Sequence, residues 1–316
     1  MNIDKLLLSL FMEDDIARGK NSYISELAVI TIKSLMPMMD EEAVRISSTR
    51  FVEELKLWKY YRTGENPSLL DIQGRVSSDI YWNEKDDSIV SRIIPLVLAN
   101  KKYEIILDEI IKNLLYTSGN IQALFETISI SYLLYLIVNK YDNIIDKLKE
   151  NIIGLSQVDY LNKYSQYYRI EIKDYPGNFK VSFEREKIQI LNTLNAVHHN
   201  RYASLEDCIN VYNRIKATTF IGKVLYRFLF ELNDDFNLPR FYLSLGDYIN
   251  KLRKSRIDFS QLELKEYILP DIFSFNEGDI FFHSLLREAK VIKKEVKGNH
   301  LTSLVQTKTG MYLFKR

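Results

Sequence analysis

Residues 121–141 constrain this chain more than any other stretch. Ile121, Leu124, Phe125, Ile128, Leu133, Leu136 and Ile137 put apolar side chains on most sides of one long helix. A helix without a polar face cannot lie at a surface, so this one belongs at the centre of a fold built around it. The loop before it, Thr117-Ser118-Gly119-Asn120, can cap its first turn. The remaining sequence must then supply the helices that cover it. Eleven glycines and 6 prolines are few for 316 residues, which disfavours a turn-rich all-β fold and favours helices joined by short loops. With 46% hydrophobic residues the chain can bury a sizeable core, as one large domain or a domain plus an appendage.

Helical spacing recurs along most of the first 255 residues. Leu27, Val29, Ile30, Ile32 and Leu35 predict a helix over 26–36 that Pro37 stops. Asp40 is a cap for a second helix running through Val44, Phe51, Leu55 and Trp58 to Gly64 and Pro67. Further helices are expected over 1–12, 88–98, 103–115, 184–197, 204–214 (after the capping-box spacing Ser204-Leu205-Glu206-Asp207) and 218–232. Between 168 and 183 the period shortens. Tyr168, Ile170 and Ile172, then Phe179, Val181 and Phe183, alternate about the turn cluster 174–178, as a short hairpin or an extended loop. After Pro270 one more helix is expected over 278–290. Alternating runs follow at 291–296, 301–307 and 311–314, with a turn at 307–310. The fold class is therefore mainly α, with a helical domain over 1–255 and an α+β appendage over 256–316 that carries an antiparallel hairpin.

Several functions are disfavoured by composition. The 43 basic and 42 acidic side chains nearly cancel, so no basic stripe marks a nucleic-acid partner. The single cysteine, Cys208, excludes an intramolecular disulfide and a cysteine-built metal site. The apolar start of the chain has no basic region or small-residue cleavage site ahead of Glu13, Asp14 and Asp15, so it reads as a helix rather than a signal peptide. The strongest membrane candidate, 128–138, is short and contains Ser131; a cytoplasmic protein with no membrane partner is the expectation.

Candidate sites are few. Asp86-Asp87 precedes a helix and reads first as a cap that favours the helix dipole; Asp14-Asp15 and Asp234-Asp235 read as loop or cap residues. His198-His199 lacks the i, i+4 spacing of helical metal ligands. Ser88 and Cys208 have no evident His or Asp partner for nucleophilic catalysis. Arg92 sits inside an apolar run and needs a partner, either an internal salt bridge or a ligand. Tyr160, Tyr164, Tyr167 and Tyr168 form a cluster suited to packing or to an interface. Lys293, Lys294, Lys297, Lys308, Lys315 and Arg316 make the tail basic, as a solvated sheet face or edge would be.

Four ordered segments over 1–255 resemble the ADP-ribosylglycohydrolase family. Residues 22–36 followed by 40–64, with Phe51, Trp58 and Tyr61-Arg62-Thr63-Gly64, are similar to the metal-binding helix and its successor. Residues 88–98, with Arg92 and Pro95, resemble the family's G-A-x-M-R-x-x-P-x-x-L segment, and 114–118 followed by Ala123 resemble its threonine-histidine segment. Residues 191–222 followed by Asn237-Leu238-Pro239 resemble the last core segment, where the family carries G-G-D-x-D-T. The resemblance implies an orthogonal helical domain. Family enzymes hold two divalent cations, usually magnesium, on aspartates and threonines. Here the early motif falls on Asn21-Ser22-Tyr23-Ile24 and the late one on Val211-Tyr212-Asn213-Arg214-Ile215-Lys216, neither with an acid, and Ser118 stands where the family has histidine. Hard cations need clustered oxygen ligands.

The resemblance thus implies a non-catalytic binding or regulatory protein without catalytic residues, metal or cofactor, acting through a protein partner. Its alternatives are a metal-independent binder of ADP-ribose or a related nucleotide, and a hydrolase with rearranged ligands that removes ADP-ribose from protein. The ligand-binding candidates are Arg92, Thr117, Ser118, Arg214 and Lys216, the last two as phosphate partners in place of the cations.

Overall fold

The structure is a computed structural model of the chain and describes residues 3–19, 22–38, 42–64, 66–72, 76–155, 160–196, 200–231, 238–257, 262, 264, 266–298 and 300–316. The helix α8 (Ile121–Val138) is the centre that its sequence demands. Asn120 Oδ1 accepts the Ala123 N–H at 2.9 Å to cap it, and 83% of it is buried. By length and composition alone α8 could cross a membrane, but here it is covered by other helices of the chain. These are α6 (Val90–Ala99), α7 (Tyr103–Thr117), α9 (Ile144–Gly154), α11 (Phe179–Leu194) and α12 (Ala203–Tyr212). Around α6 pack α2 (Tyr23–Ser34), α1 (Asp4–Arg18) and α14 (Arg240–Arg253), and α1 also packs on α13 (Phe220–Phe230). Arg253 fastens α14 to the end of α6. Its guanidinium donates to the carbonyls of Val97 at 3.2 Å and Leu98 at 3.1 Å, groups that a helix C-terminus leaves unpaired.

Three segments depart from the sequence expectation. Residues 35–38 and 43–46 pair as two antiparallel strands, β1 (Leu35–Met38) and β2 (Ala43–Ile46), with Pro37 opposite Val44; Asp40 lies outside the described residues. The helix expected from residue 40 begins only at α3 (Ser48–Trp58), capped by Ser47. Pro37 drives its predecessor towards extended backbone, and β-branched Val44 and Ile46 suit the returning strand.

Residues 168–178 form the extended loop, with a single 3-10 turn at Ile172–Asp174, and the second alternating run is helical rather than the return strand of a hairpin. Asn178 Oδ1 accepts the Val181 N–H at 3.2 Å and starts α11 at Phe179. Phe179 and Phe183, one helical turn apart, both bury, while Val181 is 62% exposed. The alternation of Phe179, Val181 and Phe183 was helical i, i+4 spacing seen through a short window.

The helix expected over 278–290 is a pair of strands, β3 (Ile280–His283) and β4 (Arg287–Lys297). Phe281 and His283 face inward and Ile280 and Phe282 outward, a period of two. With β5 (His300–Thr307) and β6 (Gly310–Lys315) they make an antiparallel meander in the order β3-β4-β5-β6. The strands expected in the tail are thus present. Among the described residues, however, no α-helix follows Arg253, so the appendage is a sheet rather than α+β. Its own core, Phe281, Ala289, Val291, Val305 and Phe314, packs against Leu57 of α3.

Candidate functional site

Three buried aspartates organise the region where the early and late segments of the chain meet α6. The first, Asp14 of α1, is fully buried and belongs to a helix rather than to a loop. Its carboxylate accepts from the Ser22 N–H at 2.7 Å, Ser22 Oγ at 2.6 Å, the Ser25 N–H at 3.2 Å, Ser25 Oγ at 2.6 Å and Arg18 Nη1 at 2.8 Å. It thereby caps α2, whose first N–H groups have no intrahelical acceptor.

The second, Asp207 of α12, holds the two residues just before α13 and so fixes the Thr219 side chain, whose Oγ1 caps that helix by accepting the Gly222 N–H at 3.1 Å. It accepts from the Thr218 N–H at 3.0 Å, Thr218 Oγ1 at 3.0 Å, the Thr219 N–H at 2.7 Å and Thr219 Oγ1 at 2.7 Å.

The third, Asp86, caps the turn before α6 through the Ser88 N–H at 3.0 Å and accepts Thr117 Oγ1 at 2.7 Å. It is also ion-paired with Arg92, and both side chains are fully buried. Burial pushes the Asp86 carboxyl up, but Arg92, Ser88 and Thr117 outweigh it and hold the carboxyl below the usual range.

The residues expected to bind a ligand do not converge. Arg92 and Thr117 belong to the Asp86 cluster and are buried, which resolves Arg92 as an internal salt bridge. Ser118 is buried as well. Its hydroxyl donates to the Glu84 carbonyl at 3.0 Å and accepts the Asn120 N–H at 3.1 Å, so it finishes the loop into α8. Arg214 and Lys216 are exposed beyond the end of α12, and Arg214 has a left-handed backbone with φ 66°. They are surface residues past Tyr212, where α12 ends. His198-His199 and Asp234-Asp235 lie outside the described residues.

A cleft of about 320 Å³ opens beside the Asp86 cluster. Ile89, Val90, Ile93 and Ile221 line its apolar part; Lys85, Asp86, Asp87, Glu126 and Arg201 supply its charge. Glu126 is the one charged residue of α8, and burial raises its carboxyl pKa. It accepts the Ser204 N–H at 3.2 Å and so caps α12 in place of the expected capping box, with Lys85 Nζ 3.9 Å away. Arg201 is ion-paired with Glu186, its Nε lying 3.1 Å from Oε2. Asp87 accepts the Tyr23 hydroxyl at 2.9 Å; burial, and then Asp87, push that phenol up to about 12.

Glu126 and Arg201 were missed by the sequence reading. A lone carboxylate in an otherwise uncharged helix was the signal for Glu126; Arg201 offered none. Among the described residues no three His, Cys, Asp or Glu side chains gather as a metal-ligand group. The fold and the site together define a mainly helical protein with a C-terminal antiparallel sheet. No protein-family model matches the chain, and no curated protein matches it.

Proposed function

We propose that this protein is a non-catalytic binding or regulatory module of the cytoplasm that acts through a protein partner. On this reading its helical core is an ADP-ribosylglycohydrolase-like orthogonal domain, as the four ordered segments of the sequence imply. The observation that carries the reading is the occupancy of the buried aspartates. A carboxylate has about four lone-pair sites. Asp14 spends its own on five hydrogen bonds and Asp207 on at least four. Neither oxygen pair can turn to a hard cation without uncapping a helix, so acids adjacent in space do not replace those missing from the two motifs.

A protein partner is favoured by the outer face of the sheet. By register Ile280, Lys290, Gln306 and Met311 form one row across it, and Lys293, Leu304 and Leu313 the next. Ile280 is 65% exposed, Met311 51% and Leu313 44%, an apolar group among lysines that suits a partner with apolar and acidic residues.

The second reading, metal-independent nucleotide binding, draws on Lys85 and Arg201 at the cleft. Three carboxylates share that cleft and Arg201 is already paired, which disfavours a pyrophosphate.

Incubation with an ADP-ribosylated protein and magnesium tests the reading against the hydrolase alternative, and the rate of ADP-ribose release is expected to equal that of the enzyme-free control. Release above that control ends the non-catalytic reading. Calorimetric binding of ADP-ribose at micromolar concentration, abolished by Lys85→Glu, replaces the protein partner with the nucleotide.

A further inference from the structure

The last strand of the sheet has a neighbour on one side only. β6 pairs with β5, and the Leu301 and Arg316 N–H groups each donate to the other's carbonyl at 2.9 Å. Hydrogen-bonded and non-hydrogen-bonded pairs alternate along an antiparallel ladder. The register Ser303↔Phe314, Val305↔Tyr312 and Thr307↔Gly310 therefore turns Phe314, Tyr312 and Gly310 towards β5. Lys315, Leu313 and Met311 direct their N–H and C=O groups to the opposite edge. Lys315 shows this directly, because its N–H donates to the Tyr60 carbonyl at 2.8 Å. Tyr60 thus occupies the first position of a fifth strand, and among the described residues no backbone group continues it past Leu313 and Met311.

Those two residues face a cavity. About 530 Å³ lies along β6, lined on the strand side by residues 309–313 and Lys315 and on the helical side by Glu26, Val29, Arg62, Phe241 and Tyr242. No β5 residue lines it, which places it on the open side of β6. An unpaired edge facing a helical wall across a gap is the geometry by which a sheet accepts an extended peptide. The wall supplies aromatic surface for alternate side chains. Glu26 faces the gap but is already engaged by Trp58 Nε1 at 2.7 Å and the Thr63 N–H at 3.0 Å. Lys315 supplies the groove with a cationic side chain.

We propose that this groove docks an extended peptide of the partner protein, which adds to β6 as a fifth strand beyond Tyr60. Its residues alternate between apolar side chains against Phe241 and Tyr242 and acidic ones near Lys315. The proposal rests on the binding reading above and not on the family resemblance.

Short random peptides displayed on phage are selected on the full chain, and the strongest binder is synthesised. Leu313→Pro removes one outward N–H and leaves the bonds to β5 intact, as proline is tolerated on an edge; Leu313→Ala is its control. The expected result is an apolar–acidic peptide whose affinity falls about tenfold or more with Leu313→Pro and little with Leu313→Ala. Methylating the peptide's own backbone nitrogens supplies a test that does not depend on the variant folding. Methylation at alternate positions should abolish binding in one register and spare it in the other. Equal binding by wild type and Leu313→Pro, or no effect of methylation in either register, overturns the groove and leaves the binding-module reading to the ADP-ribose release assay. Failure to select any peptide also overturns it. A concentration-dependent dimer that Leu313→Pro dissociates replaces the partner peptide with a second copy of this chain.

Discussion

Asp207 Oδ2 lies 1.9 Å from the point where a Cβ on residue 222 would stand. Gly222 is therefore the residue that lets α12 and α13 approach closely enough for Asp207 to hold Thr218 and the cap residue Thr219 in place. A methyl group there must displace either the carboxylate or the start of α13. Gly222→Ala should cost about 1–3 kcal/mol through overpacking. Asp207→Ala should cost a similar amount by releasing the Thr219 cap from its acceptor, about 1–2 kcal/mol. Urea unfolding reads both, and the double variant should lose clearly less than the sum of the two because they damage one joint. Strict additivity would show that the approach and the cap are independent.

Arg92 and Asp86 form a fully buried ion pair, where loss of one partner is costlier than loss of both. Arg92→Leu leaves the Asp86 carboxylate without a counter-charge and should cost about 3–5 kcal/mol. Adding Asp86→Asn should restore part of that stability. The unfolding midpoints of the three proteins check this, and an Arg92→Leu variant as stable as wild type would remove the pair from the account of the core.

Trp58 Nε1 donates to Glu26 Oε2 at 2.7 Å. Burial raises the Glu26 pKa, and the donors from Thr63 and Trp58 hold it back. Trp58→Phe replaces the indole by a smaller phenyl and deletes the donor, so the Glu26 pKa should rise further, with a stability loss of about 1–3 kcal/mol at neutral pH from the lost bond and the cavity together. Carboxyl NMR titration measures the shift; an unchanged or lower value would contradict the bond.

His283 carries a prediction about acid. Burial, followed by the charge of Lys33, pushes its pKa down to about 4, and its Nδ1 accepts the Leu285 N–H at 3.2 Å. The folded state therefore favours the neutral ring. The stability that this neutral ring contributes is fully present above the unfolded value of 6.5 and drains as pH falls through 4. The loss should reach about 1–2 kcal/mol, discounted because the ring lines an open pocket. His283→Gln should flatten the stability profile between those two pH values, and an equally steep profile would refute the assignment.

The long helices were legible because their apolar spacing is a local property: α8, α7 and α6 follow from residue type and period alone. The short elements were not. Phe179, Val181 and Phe183 fit a strand and a helical turn equally well over five residues, and the Asn178 cap together with burial of the two rings but not of Val181 decided for helix. Residues 280–290 met the same ambiguity with the opposite outcome, because β4 has a partner on each side. In the candidate site, Arg92 could be seen to need a partner, since a guanidinium in an apolar run must have one. That the partner was Asp86 rather than a ligand was a matter of how the turn before α6 folds back.

By itself the sequence determined a mainly helical protein around one buried helix and a strand-rich tail, because period and residue chemistry act over one or two turns of chain. The tertiary structure alone decided which donors saturate Asp14 and Asp207, that Arg214 and Lys216 do not line the cleft beside Asp86, and that β6 presents an unpaired edge to a helical wall. Each of these depends on segments far apart in the chain meeting in space, and no local pattern encodes that meeting.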